Sequence, residues 1–105
     1  SDAPVCDPSP LVGIHAAVTR QRRDGTPAGG WYPEQRISVA DALRGYTTVP
    51  AAFYGQARNM GSLTPGKWAN IIVLDRDIFQ VDPMEIADTQ VEMTVFDGRV
   101  VYRSF

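Results

Sequence analysis

Apolar residues keep two different periods along this chain. Leu11, Ile14, His15 and Val18 fall at i, i+3, i+4 and i+7, one face of an amphipathic helix. Asp7-Pro8-Ser9-Pro10 just ahead suits the start of that helix. Ser9 fits the N-cap, and Pro10 fits the first helical position, where its missing N–H would be unpaired anyway. The pattern fades at residues 20–23, and residues 24–36 read as loop, rich in Gly and Pro. A second helix is expected from Ser38, with Asp41 at the capping-box position and Val39, Ala42, Leu43 and Tyr46 on its apolar face. Pro50 disfavours helical geometry at Val49 and opens a third, short helix over residues 50–56, with Gly55 and Gly61 marking the exit.

Beyond residue 58 the period shortens. Thr64-Pro65-Gly66-Lys67 carries Pro and Gly at the centre of a type II turn. Residues 68–74 form a β-rich run that is continuously apolar, the pattern of a strand covered on both faces. Asp82-Pro83-Met84-Glu85-Ile86 predicts one helical turn. The last segment reads as a hairpin, Val91–Phe96 and Arg99–Arg103 about Asp97-Gly98 as a type I′ turn. Val91, Met93 and Val95 alternate with Glu92 and Thr94, as one buried face requires. The pattern thus predicts a helical half and a β half, each incomplete. A fully apolar strand needs neighbours on both sides, and open edges invite pairing. A partner is expected on those grounds, either a missing N-terminal chain or a second copy. The opening Ser1-Asp2-Ala3-Pro4-Val5 reads as the end of a strand running into a turn with nothing before it to pair with, which also predicts a piece of a longer chain.

Composition narrows the partners. The chain has 105 residues, 44% hydrophobic, enough for one ordinary domain. A net charge of -2 gives no reason to expect nucleic acid or an anionic membrane. The basic trio Arg20, Arg22 and Arg23 suits the C-terminus of the first helix, where cations meet exposed carbonyls. No apolar run is long enough to span a bilayer. A single cysteine, Cys6, makes no internal disulfide, and a cytoplasmic location is the default expectation.

Four blocks, in order, carry a resemblance. They are Ser1-Asp2-Ala3-Pro4-Val5 with Gly13-Ile14-His15-Ala16-Ala17-Val18-Thr19-Arg20; Ile37-Ser38-Val39-Ala40-Asp41-Ala42-Leu43-Arg44 with Tyr46-Thr47-Thr48 and Pro50-Ala51; the run from Gly61 to Asp75; and Val95-Phe96-Asp97-Gly98-Arg99-Val100-Val101-Tyr102. Together they resemble the C-terminal segment of amidohydrolase family 3, metal-dependent hydrolases of the amidohydrolase superfamily. The resemblance implies an α+β fragment. Residues 1–58 would be the end of strand eight and the following helices of a (β/α)8 barrel. Residues 59–105 would be C-terminal strands of a small composite β-sandwich. It implies hydrolysis of amide-type, non-peptide C–N bonds of a small molecule by metal-activated water, with a divalent metal, zinc by expectation, as cofactor. The family pattern puts its site carboxylate at Asp2, as metal neighbour, general base and proton shuttle. Active sites of such barrels lie at the C-terminal ends of the strands. Two departures stand out. Asn70 replaces the usual Asp at the turn before the strand, and the family's metal-binding histidines are missing from a chain with one histidine. The chain alone is therefore expected to be inactive.

Each other candidate has a duller counterpart. His15 shares a face with Leu11, Ile14 and Val18 and reads as a packed histidine before a ligand. Cys6, four residues after Asp2, lines a pocket or is an inert small hydrophobe. Trp31 and Tyr32 close over substrate as a lid or anchor their loop. Asp75, Asp77 and Asp82 fit no calcium loop and read as solvated turn acids. The alternative to the hydrolase is a non-catalytic α+β module that associates through open strand edges.

Overall fold

Proline and serine set the helix starts, with one displacement. The computed structural model describes Asp2 and residues 4–105. Helix α1 spans Pro10–Thr19, with Ser9 at the N-cap in extended geometry and Pro10 in the first turn. The Ser9 hydroxyl makes no capping bond; instead the Ser9 N–H donates to Asp7 Oδ1 at 2.8 Å. Helix α2 spans Val39–Tyr46. Ser38 caps it as expected, its Oγ accepting the Asp41 N–H at 3.0 Å and donating to Asp41 Oδ2 at 2.7 Å. Helix α3 spans Thr48–Phe53, two residues earlier than the proline predicts, so Val49 is helical after all. Pro50 is tolerated there because the first-turn N–H groups of a helix have no intrahelical acceptor, so its ring removes no bond.

The β half forms one open antiparallel sheet in the order β1-β2-β3, with β1 at Ile71–Leu74, β2 at Val91–Phe96 and β3 at Arg99–Arg103. The hairpin turns where expected, with φ 49° at Asp97 and 74° at Gly98. The type II turn is also present: Lys67 N–H reaches Thr64 O at 3.2 Å, and Gly66 has φ 94°. The first strand is shorter than its apolar run. Trp68 N–H is taken by Asn59 O at 2.7 Å and Asn70 N–H by Trp68 O at 2.9 Å, so these two N–H groups are not offered to the ladder, which starts at Ile71. Nor is β1 covered on both faces, since Ile71, Ile72 and Val73 are all exposed and β2 is its one neighbour in the sheet.

Two compact units result, one made of residues 1–43 and 77–89, the other of residues 44–76 and 90–105. In the first, α1 packs on a 3-10 helix at Pro83–Asp88, which realises the helical turn expected there. A complete capping box starts that helix: Asp82 Oδ1 accepts the Met84 N–H at 2.8 Å, and Glu85 Oε2 accepts the Asp82 N–H at 3.3 Å. Ile14, His15, Thr19, Ala42, Ile78, Ile86 and Thr89 are buried in this unit. In the second unit Ala51 is the one buried hydrophobic among the described residues. The architecture is α+β; the described residues form neither a closed barrel nor a full sandwich.

Candidate functional site

Asp2 sits just ahead of the first helix, in a turn closed by its own carbonyl, which accepts the Val5 N–H at 2.8 Å. Its φ of 53° is left-handed, a conformation that Asp adopts more readily than most residues. The carboxylate is exposed. Ser1 and Ala3 lie outside the described residues, and with them the strand end read from the opening of the chain. Cys6 is a free thiol, also exposed.

His15 is a core residue, 1% exposed, with Nδ1 at 3.2 Å from Pro83 O. Donation to that carbonyl places the proton on Nδ1 and leaves Nε2 buried without a hydrogen-bond partner. The ring therefore ties α1 to the 3-10 helix 68 residues away in the chain. One turn further, Thr19 adds a buried hydroxyl that donates to His15 O at 2.8 Å, a polar position that apolar periodicity passes over.

The long loop is anchored to the C-terminal end of α1. Arg20 closes the helix in left-handed geometry, its N–H on Ala16 O at 2.8 Å. Its Nε donates to Trp31 O at 2.9 Å while Trp31 N–H returns to Arg20 O at 2.9 Å. The guanidinium lies 5.1 Å from the centre of the Trp31 ring, and Tyr32 meets that ring edge-on at 4.8 Å. The side chain that reaches the last helical carbonyl is Arg36, whose Nε donates to Thr19 O at 3.2 Å. Of the trio expected there, Arg20 supplies its backbone and Arg23 pairs with Asp88. Gly30 has φ 91°, and a Cβ there would lie 2.8 Å from Thr19 O, so the loop approaches the helix as only glycine allows. Trp31 thus fastens the loop to the end of α1, although the residue stays 62% exposed.

An open cleft of about 600 Å³ follows from this arrangement, lined by Ala16, Arg20, Gln21, Arg22, Thr26, Pro27 and Trp31. Asp2 is not among its lining residues. Beside it Asp24 forms a tight turn, accepting the Thr26 hydroxyl at 2.6 Å and the Thr26 N–H at 3.0 Å. Those bonds, the hydroxyl first, and the nearby Arg22 charge hold its carboxyl below the usual range.

The acids of the β half are committed to local structure. Asp75 takes two bonds from Arg76, at 3.0 and 2.8 Å, and the Gln90 N–H at 3.0 Å. The Arg76 bonds, then the Gln90 bond, lower its pKa. Asp77 Oδ1 accepts the Phe79 N–H at 2.9 Å, and Asp82 caps the 3-10 helix. Among the described residues no three His, Cys, Asp or Glu side chains come together as a metal site. Asn70 works at the turn as its position implies, its Oδ1 accepting the Asp97 N–H at 2.9 Å. No helix among the described residues is long and apolar enough to cross a membrane.

Comparison with known proteins covers nearly the whole chain. The model of the amidohydrolase family matches residues 1–102. An N-substituted formamide deformylase of Arthrobacter pascens is 36% identical over 97% of the chain and 18% of its own length. A putative amidohydrolase of Bacillus subtilis is 29% identical over 97% of the chain and 19% of its own length. The Arabidopsis thaliana protein LONG AFTER FAR-RED 3 is 33% identical over 97% and 17%. The chain therefore spans about a fifth of the length of these relatives. No solved structure matches it.

Proposed function

The chain belongs to the amidohydrolase family, and we propose that it is the C-terminal part of a longer, metal-dependent hydrolase acting on amide-type, non-peptide C–N bonds of a small molecule. The observation that carries this reading is the family match over residues 1–102, combined with relatives that extend over about five times this length. In that longer protein residues 1–58 belong to the hydrolase barrel, as the end of strand eight and its following helices. Residues 59–105 belong to the small β-sandwich. Exposed Ile71, Ile72, Val73, Val100 and Val101 support a β unit that is completed by other chain. A cytoplasmic location belongs to the same proposal, supported by a single, unpaired cysteine.

Asp2 is the proposed site carboxylate, taking up and handing on a proton at its Oδ atoms and standing next to the metal. Its left-handed backbone in an exposed turn supports that role, since strained residues cluster at functional sites. The described residues do not themselves fit a metal centre. The one histidine is buried and turned to a backbone carbonyl, and hard cations need several oxygen ligands. Zinc or another divalent ion would be held at Asp2 chiefly by residues outside this chain, and the 105 residues alone are expected to be inactive. The alternative, a non-catalytic module, is favoured by one observation, the exposed edge at β1.

The test is made in the longer protein with an N-substituted formamide as probe. Asp2→Asn is expected to lower kcat by about a hundredfold or more while leaving the fold intact, as loss of a positioned proton-transfer group does. An unchanged kcat would remove Asp2 from the site. No turnover by the zinc-loaded longer protein on formamides, amides or ureas would favour the module.

A further inference from the structure

We draw no further inference here: the strongest candidate, the open cleft at the C-terminal end of α1 lined by Arg20, Arg22 and Trp31, is open in a chain that spans about a fifth of its relatives' length, and nothing in the structure shows what fills it.

Discussion

At Gly61 the backbone runs at φ 94°, and an added Cβ would lie 2.6 Å from the Cβ of Ala51 and 3.0 Å from Thr47 O. Ala51 is the buried hydrophobic of its unit and Thr47 precedes helix α3, so neither can retreat cheaply. Gly61→Ala is expected to destabilise the chain by about 1–3 kcal/mol, from backbone strain and overlap together, as read by urea unfolding. Asn70 makes a gentler test. Its Oδ1 holds the Asp97 N–H at the hairpin turn, so Asn70→Ala should cost about 1 kcal/mol, while Asn70→Asp keeps the acceptor and should cost less. Equal losses in the two variants would show that the bond contributes nothing. Single residues were partly legible beforehand. Ser38 and Pro10 act locally, and local rules placed them correctly. His15 was readable as a packed residue from its face, but its bond to Pro83 depends on chain 68 residues away. Arg36 was missed as the cation at the end of α1 because the loop brings it there from outside the helix.

Among the elements, α3 and β1 show where local preference is overruled. Pro50 reads as a helix start, yet the helix begins at Thr48, since proline in a first turn removes no hydrogen bond. The apolar run reads as seven residues of strand but only four pair, because the turn before them takes up the N–H groups of Trp68 and Asn70. Asp75, directly after β1, fastens the sheet by accepting from Arg76 and from the N–H of Gln90, just before β2. Its pKa lies below the ordinary 3.8 in the folded chain, so the stabilisation is present above that value. It is lost as pH falls through the lower, folded value. Asp75→Asn should therefore flatten the fall in stability on acidification below pH 3.8. The difference should shrink with added salt, because exposed ion pairs are screened. Urea midpoints measured across that range check it. Parallel acid slopes for the two proteins would remove Asp75 from the account.

For the whole molecule, the distribution of burial matters most. One unit has a core built around Ile14, His15 and Ile86, whereas the sheet unit leaves most of its aliphatic and aromatic side chains exposed. Periodicity could foresee that the β half lacks neighbours, since a continuously apolar strand has no solvent face. It could not foresee that residues 77–89 join the N-terminal helix, because that packing is set by tertiary contacts beyond any local window. The site was legible only through family likeness. The proposed site carboxylate, Asp2, is a lone residue in a turn with no spacing to reveal it, and no metal-binding cluster lies among the described residues. The most direct measurement is to read the gene upstream of the Ser1 codon. A continuous reading frame of a few hundred residues, about what a (β/α)8 barrel needs, with a His-x-His strand near its start, is the expected result. A start codon immediately before Ser1 would contradict the hydrolase assignment and leave the open edge at β1 as the place to look for function.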